Sequence, residues 1–456
     1  MLPDVALLEV FDFYVKDEMH HMWRPRTRDV TWYTLVHVCR KWRNVVFGSP
    51  RRLNLRLYCG DDTPVRETLD VWPPIPIAVR SNILRGEDNI NAALEYNNRI
   101  CDIILWSISS PLPASILAAL HQPFPTLTKL YLSFKAEITV DPASFLGGSL
   151  PALLSLTFRH GSFPGLPKLL LSATHLVELS LFSIPLSGYI TPEAMIASLS
   201  VLTRLEKLRI EFKSPRCCPD RTRRRPPPPT RALLPVLAKL EFDGVSEYLE
   251  DLVAGIDAPL LKTLDLSFFH QLIFDTPRLT QLINRTPNFK EYSKSYVFFD
   301  PWVARVTFTS TYDGWLSFKI KCRPSDWRLS SLAQICSSSI PRALIPTLEN
   351  LYFSEDRGFG WPWQDDMEGS QWLEVLHPFT AVKSLYLTRE LAPRVAPALQ
   401  ELAGERVTEV LPALQTIYFY THTPGPVQEA IEQFVAARQL ASHPITISHW
   451  DSHKDW

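Results

Sequence analysis

Apolar residues recur along most of this chain in one pattern, an apolar residue followed at +3 and +5 by two more, with polar residues between them. The pattern reads LxxLxL, and its alternation is typical of a strand with one buried face. Clear copies begin at Leu127, Leu153, Leu176, Leu205, Leu237, Leu261, Leu348, Val382 and Leu414, with an earlier one at Ile100. One copy suits an ordinary α/β strand, but so many predict an internal repeat.

A proline stands two residues before the first apolar position in many of these repeats. Proline stops a helix and favours an extended residue before it, so each repeat is predicted to restart as a strand. These prolines are Pro125, Pro151, Pro235, Pro259, Pro287, Pro346 and Pro412. Two degenerate repeats fit between Leu261 and Leu348, with Phe289/Tyr292 and Val303/Val306/Phe308 as their expected remnants.

Between the strands lie windows with helical spacing of apolar residues, at 192–202, 247–255 and 426–440. One repeat cannot bury its own apolar face, so neighbouring repeats must stack. The pattern resembles the leucine-rich repeat, although the consensus Asn or Cys after the strand is mostly missing. The predicted fold is α/β: a short helical N-terminal module followed by a curved solenoid with a parallel sheet on its concave face.

The concave face of such a solenoid is a common binding surface, so its polar strand residues are candidate partner-binding residues. Plain solvation is the alternative role for each of them. The candidates are Tyr131, Ser133, Ser180, Glu211, Glu241, Asp265, Tyr352, Tyr386 and Tyr418.

The first fifty or so residues follow a different pattern, with two amphipathic helices instead of LxxLxL. Leu7, Val10 and Phe11 share one helical face, and Leu35, Val38 and Trp42 share another. Two short helices bury little area by themselves. Their apolar faces either meet another chain or pack against the first repeats.

Residues 2–14 (LPDVALLEVFDFY) and 32–53 (WYTLVHVCRKWRNVVFGSPRRL) resemble the F-box motif. The continuation at 53–77 is similar to F-box proteins of the expanded families of mushroom-forming fungi, in which irregular leucine-rich repeats follow. The resemblance implies docking on the Skp-family adaptor of a cullin-RING ubiquitin ligase, while the repeats select a protein substrate. By the family's pattern the adaptor-binding residues are Leu2, Pro3, Leu7, Leu8, Phe11, Leu35, Val38 and Trp42, although Trp42 serves equally well as core of the module.

One segment departs from the F-box pattern. Residues 16–28 lengthen the link between the first two helices, and they either form an exposed loop or weaken docking. The predicted organisation is an F-box-like module at 1–52, a linker and N-terminal cap at 53–99, and the repeat array at 100–456. A disordered Pro/Arg insertion is predicted at 214–230.

Composition and the absence of known motifs argue against several classes of function. A formal charge of −1 predicts no general attraction to nucleic acid or membrane, and acidic residues where a signal peptide would be apolar argue against export. Seven scattered cysteines without CxxC suggest neither disulfides nor a metal site. No catalytic or nucleotide-binding motif is present, so we expect no cofactor and no enzyme activity. From the F-box resemblance we expect a substrate-recognition subunit of an SCF-type ubiquitin ligase, located in the cytoplasm or nucleus. The alternative is a leucine-rich-repeat scaffold that binds protein partners but does not bind the adaptor.

Overall fold

The computed structural model divides the chain into two compact units, Met1–Leu176 and Val177–Trp456. The structure describes residues 3–16, 35, 37–48, 55–62, 64–71, 74–82, 86–108, 113–139, 145–163, 165–218, 231–269, 274–300, 302–310, 314–321, 328–340, 344–355, 369–402, 404–420 and 425–450. Each unit is described by itself.

The first unit begins with two helices that pack on each other, α1 (Asp4–Lys16) and α2 (Arg40–Gly48). The rings of Phe11 and Trp42 lie 4.9 Å apart between them, and Lys41 Nζ is 3.4 Å from an Asp4 carboxylate oxygen. The first predicted helix is therefore present as α1. The second is present only in its later part as α2, because the helix is interrupted at Cys39 and Leu35 and Val38 precede that break. The lengthened link at 16–28 lies, beyond Lys16, outside the described residues.

The rest of the first unit is a parallel sheet with helices on one face. Its five strands pair in chain order: β1 (Leu55–Tyr58), β2 (Ile77–Asn82), β3 (Ile100–Ile108), β4 (Lys129–Thr139) and β5 (Ser155–Ser162). Its helices are α3 (Val65–Val71), α4 (Glu87–Leu94), α5 (Ala114–Leu120), α6 (Leu166–Leu170) and a 3-10 turn at Phe145–Gly148. The segment predicted as linker and cap thus contains two strands of this sheet: β1 pairs with β2, and β2 pairs with the repeat strand β3.

The second unit repeats this arrangement with more strands. In chain order they are β6 (Glu178–Ile184), β7 (Lys207–Phe212), β8 (Ala232–Leu233), β9 (Lys239–Gly244), β10 (Ile256–Asp257), β11 (Thr263–Phe269), β12 (Lys294–Phe299), β13 (Val303–Thr309), β14 (Trp315–Lys321), β15 (Asn350–Glu355), β16 (Ser384–Leu387), β17 (Thr416–Tyr420) and β18 (Thr446–Trp450). The main sheet has the spatial order β6-β7-β9-β11-β14-β13-β12-β15-β16-β17-β18, and β8 pairs with β10 separately.

Helices connect most strands of the second unit and lie against the apolar face of its sheet. They are α7 (Pro192–Leu199), α8 (Ser246–Ala254), α9 (Pro277–Arg285), α10 (Arg328–Gln334), α11 (Gly369–Leu376), α12 (Ala392–Gln400) and α13 (Gly425–Leu440). Short 3-10 turns stand at Leu186–Gly188, Pro215–Cys217, Pro287–Phe289, Ile345–Thr347 and Gly404–Thr408, and a π-helical turn follows α10 at Ile335–Ser339. The first part of the predicted Pro/Arg insertion, 214–218, is a turn with a buried Cys217, and residues 219–230 lie outside the described residues.

The sheet of the second unit is parallel, as predicted, except at β13, which is antiparallel to both β12 and β14. A tight turn reverses the chain there, because the Asp300 carboxylate accepts the backbone N–H groups of Trp302 and Val303 at 2.7 Å each. The expected remnant at Val303/Val306/Phe308 is therefore a returning strand, not a repeat. The remnant at Phe289/Tyr292 is shifted: Tyr292 takes the first repeat position, since Ser295 and Val297 pair with Leu351 and Phe353.

The LxxLxL residues form the core. The apolar residues at the first, +3 and +5 positions of the nine clear copies are each at most 5% exposed. Ile100, Ile103 and Leu105 of the early copy are fully buried, which confirms that copy. Burying one such side chain stabilises a fold by about 1.5–3 kcal/mol. The residues between them point to the opposite side of each sheet, which we call the open face.

Candidate functional site

The open face of the second unit carries one continuous row of paired residues. In-register pairing places the residue between the +3 and +5 apolar positions of each repeat beside its equivalent in the next strand. The row, called the central row below, runs Ser180, Arg209, Glu241, Asp265, Ser317, Thr307, Tyr296, Tyr352, Tyr386, Tyr418 and Ser448. Its first part is polar, with three charged and three hydroxyl side chains, and its second part, from Tyr296 to Tyr418, is aromatic.

Four tyrosines of the central row form a stacked ladder. The ring centroids of Tyr296 and Tyr352 are 4.7 Å apart, those of Tyr352 and Tyr386 are 4.2 Å apart, and those of Tyr386 and Tyr418 are 4.4 Å apart. The ring planes lie within 17° of parallel at each step. Strands about 4.8 Å apart hold identical side chains at stacking distance, so the repeat itself creates the ladder.

Trp450 closes over the middle of the tyrosine ladder. Its ring meets Tyr386 edge-on at 5.5 Å and Tyr352 at 6.1 Å, and its indole N–H donates to the Leu387 carbonyl at 3.5 Å. Trp450 is 6% exposed and Tyr352 is 8% exposed. Tyr352 is therefore covered, whereas Tyr296, Tyr386 and Tyr418 are half-buried and remain partly accessible.

The phenol hydroxyls of the ladder interact with each other as well as with solvent. Burial raises the pKa of Tyr386, and a hydrogen bond with Tyr352 works against that rise. Burial also raises the pKa of Tyr296, opposed by a hydrogen bond with Thr309. Tyr296 and Tyr386 thus keep neutral hydroxyls, each of which is both a donor and an acceptor, along a rigid apolar strip. Such a surface suits a partner that offers polar groups beside apolar ones, as a polypeptide does.

The charged part of the second unit's open face is a network of ion pairs. Arg209 lies 2.6 Å from Glu241 and 3.0 Å from Glu211, and Lys319 lies 2.6 Å from Asp265. Further pairs are Lys207–Glu178 at 2.5 Å, Lys239–Glu241 at 2.5 Å and Lys321–Asp243. Each of these five cations has a carboxylate partner. Arg305 of β13, in register with Lys319 on the same face, instead lies over the ring of Phe298, at 5.4 Å from its centroid.

The pKa values of two carboxyl groups in this network are shifted in opposite directions. Burial acts to raise the pKa of Glu241, but Lys239 and Arg209 outweigh it, so that pKa is lowered. Burial raises the pKa of Asp243 despite its contact with Lys321. Half-exposed pairs of this kind contribute about 0–1 kcal/mol each, so they orient side chains more than they stabilise the fold.

The open face of the first unit holds Tyr131 and Ser133 of β4. The row through Tyr131 runs Tyr58, Arg80, Ile104, Tyr131 and Thr157. Trp106 lies on the same face, with its ring centroid 6.3 Å from that of Tyr58. This face therefore combines aromatic and basic side chains.

The residues predicted to bind an adaptor have different positions in the helix pair. Leu7, Phe11 and Leu35 are buried inside the protein, and Leu8 and Trp42 are half-buried. Pro3 and Val38 are exposed, Val38 by 57%, and Leu2 lies outside the described residues. The buried residues support the module from within, and the exposed ones are free to contact a partner.

All nine residues predicted for the concave face lie on strands with their side chains on the open face. The structure brings Tyr352, Tyr386 and Tyr418 into one ladder, and it joins Glu211 and Glu241 through Arg209. Tyr131 and Ser133 lie in the first unit and the other seven in the second. Whether any of them binds a partner stays a prediction.

Three residues of this surface were missed by the sequence analysis: Tyr296, Trp450 and Arg209. Tyr296 lies in a degenerate repeat whose +3 position is serine, so LxxLxL did not mark it. One signal could have found it, because Tyr296 precedes an apolar residue as the other three ladder tyrosines do. Trp450 lies in a last strand that has no LxxLxL copy of its own.

No described helix has the length and apolar character that crossing a membrane requires. Among the same described residues there is no group of three or more His, Cys, Asp or Glu side chains that could hold a metal ion.

In-register strands with buried LxxLxL residues, mostly connected by helices or short turns, define each unit as a stack of leucine-rich repeats. No model of a protein family matches the chain, and no curated protein matches it. Among solved structures, the chain is similar to the leucine-rich repeat-containing protein LegL7 from Legionella pneumophila, at 12% identity over 84% of this chain and 97% of that one, with a TM-score of 0.26. The repeat assignment rests on this chain's own strands and buried leucines.

Proposed function

We propose that this protein is a substrate-recognition subunit of an SCF-type ubiquitin ligase. In this proposal the N-terminal helix pair docks on a Skp-family adaptor, and the open faces of the repeats bind a target protein. The observation that supports it most directly is the packing of α1 on α2 through Phe11 and Trp42, in the segment that resembles an F-box. The protein would work in the cytoplasm or nucleus.

The proposed contribution to ubiquitin transfer is positional, with no chemistry by this chain. Rigid strands present the tyrosine ladder and the charged network in fixed geometry, which lowers the ordering cost of binding a partner. Holding that partner beside a ubiquitin-charged enzyme of the ligase raises the rate through proximity. No cofactor, metal, nucleic acid or membrane enters this mechanism.

The alternative is a repeat scaffold that binds protein partners without an adaptor. The burial of Leu7 and Phe11 favours it, because apolar residues already packed inside the protein do not need a second chain to cover them. In that case the helix pair only closes the apolar end of the first unit.

The test is a pull-down of the purified full-length protein with a purified Skp-type adaptor. The informative variant is Val10→Asp with Val38→Asp, because these side chains are 51% and 57% exposed and their replacement leaves the core intact. A charge at an interface anchor costs about 2 kcal/mol or more, so adaptor affinity should fall roughly thirtyfold. The matched control is Val71→Asp, an 81% exposed valine on α3 outside the helix pair.

Circular dichroism checks that all three proteins are folded. Binding by the wild type and the control, and its loss in the double variant, would support the ligase proposal. If the wild type does not bind the adaptor at micromolar concentration, the scaffold alternative replaces it.

A further inference from the structure

The open face of the first unit has an excess of positive charge among the side chains that the structure describes. Its cations are Arg80 on β2, Lys129 and Lys135 on β4, and Arg159 on β5, whereas its described carboxylate is Asp102 on β3. Four cations against one carboxylate leave a local charge of +3 on this part of the sheet. The whole chain, in contrast, has a formal charge of −1.

The pairing of these cations differs from that of the second unit. There, the five cations of the charged network each reach a carboxylate on the same open face, from Lys207 to Lys321. In the first unit, no ion pair joins Arg80, Lys129 or Lys135 to any carboxylate that the structure describes. Arg80 lies two strands away from Lys129 and Lys135, and Asp102 of β3 is the in-register neighbour of Lys129. This face therefore keeps a net positive charge, which an anionic partner would neutralise.

Aromatic side chains lie among these cations. Tyr131 is two residues from Lys129 on the same face of β4, and Arg80 is the paired neighbour of Tyr58. Tyr58 is 52% exposed, and Trp106 is half-buried beside it. Exposed aromatic rings next to cations are the composition of a protein-binding surface, where tyrosine, tryptophan and arginine are enriched.

We propose that the open face of the first unit binds an acidic peptide segment, rich in Asp and Glu, of a partner protein. This inference rests on the proposed function as a protein-binding subunit and names the chemistry of its target. The carboxylates of the segment pair with Arg80, Lys129 and Lys135, and its apolar groups lie on Tyr58, Trp106 and Tyr131. Five strands about 4.8 Å apart span about 20 Å, which an extended segment of roughly six residues covers.

The test is fluorescence anisotropy of the full-length protein with a labelled peptide of about eight residues, half of them Asp or Glu. A second peptide carries Asn and Gln in their place. We expect saturable binding of the acidic peptide only, weakened when salt shortens the Debye length from about 10 Å to about 3 Å. Equal binding of both peptides would overturn the proposal.

The decisive variant is Lys129→Gln with Lys135→Gln, two surface substitutions that leave the buried side of β4 unchanged. Losing two rim charges should raise the Kd of the acidic peptide roughly fivefold to tenfold at low salt. The charge-matched control is Lys168→Gln with Lys290→Gln, exposed lysines outside the strands, and its Kd should stay within about twofold of the wild type. Equal losses in both variants would mean that net charge alone attracts the peptide and would overturn the assignment to this face.

A single-stranded oligonucleotide of similar length and charge forms the last arm of the experiment. If it binds more tightly than the acidic peptide, the face belongs to a nucleic-acid partner and the proposal fails. The peptide is added directly and no adaptor is present, so this experiment can fail while the adaptor pull-down succeeds, or succeed while the pull-down fails.

Discussion

The rings of Tyr352 and Tyr386 stack with their centroids 4.2 Å apart and their planes 11° from parallel. Both tyrosines occupy the same position of their repeats and face each other in register across β15 and β16. The contact is thus a direct product of the repeat, since one residue type at one position in successive strands places like beside like. Tyr296 and Tyr418 extend it on either side.

We predict that Tyr386→Ala destabilises the protein by about 2–4 kcal/mol, because it removes the ring that two neighbours stack on. Tyr386→Phe keeps the ring and loses one hydroxyl, so its cost should be about 0.5–1.5 kcal/mol. The free energy of unfolding in urea, followed by tryptophan fluorescence, measures both.

Tyr131→Ala is the matched control for the ladder. Tyr131 holds the same repeat position but pairs with Ile104 and Thr157, so its loss breaks no aromatic stack. We expect it to cost less than Tyr386→Ala. An equal or larger cost would show that ring stacking adds nothing beyond the burial of a single tyrosine.

The buried half of each repeat could be predicted from the sequence because its signal is local. Alternation along a strand decides which residues are buried, and a recurring LxxLxL fixes which residues of successive strands pair. The copy at Leu127 therefore predicted the burial of Leu130 and Leu132, and both are fully buried.

The antiparallel return of β13 could not be predicted in the same way. It depends on the Asp300 turn and on pairing with strands on both sides, and neither signal repeats along the chain. The contact of Tyr296 with the other three ladder tyrosines was also out of reach. It depends on the register of β12, which was predicted three residues too early.

Arg438 of α13 is a fully buried cation that is held by backbone carbonyls. Its guanidinium donates to four of them, at 3.1 Å to Val407 and at 3.3–3.5 Å to Leu411, Pro412 and Leu414. Burial lowers the pKa of Arg438. We predict that Arg438→Met costs at least about 3 kcal/mol of unfolding free energy, because it leaves several buried carbonyls without a donor.

Arg406→Met is the control for that substitution. Arg406 makes an exposed ion pair with Glu409 at 2.8 Å, and such pairs contribute about 0–1 kcal/mol. The free energies of unfolding of the two variants, measured in urea, should therefore differ by about 2 kcal/mol or more. Similar losses would mean that the carbonyls around Arg438 find water when the guanidinium is removed.

Glu250 of α8 caps the next helix of the array. Its carboxylate accepts the backbone N–H of Arg278 at 3.0 Å and of Leu279 at 2.8 Å, at the start of α9. The side chain is 1% exposed, and the N-terminus of a helix favours a negative charge. We predict that Glu250→Ala costs about 1–3 kcal/mol, since two buried N–H groups lose their acceptor.

Glu250→Gln separates the two contributions of this cap. The amide keeps one acceptor oxygen but removes the charge, so its cost should lie between those of the wild type and Glu250→Ala in thermal unfolding. The exposed Glu429 of α13 has no place in this cap, and its replacement by Gln should be neutral within about 0.5 kcal/mol. If Glu250→Ala leaves the stability of the protein unchanged, solvent reaches the backbone N–H groups at the start of α9.

Thiol labelling gives a test of the burial pattern that needs no substitution. Cys39 is exposed, whereas Cys59, Cys101 and Cys336 are buried, and burial raises the pKa of each of these three thiols to about 12. Because only the thiolate reacts, iodoacetamide at about pH 8 should modify Cys39 before these three cysteines in the native protein.

Mass spectrometry of the digested protein, labelled before and after unfolding in urea, measures the difference site by site. Cys59, Cys101 and Cys336 should become reactive only after unfolding, because their pKa then returns to the ordinary value of a free thiol. Rapid labelling of Cys336 in the native state would mean that the π-helical turn at Ile335–Ser339 opens. Rapid labelling of Cys101 would mean that β3 opens in the native protein. β3 is one of the strands whose open face we assign to an acidic partner.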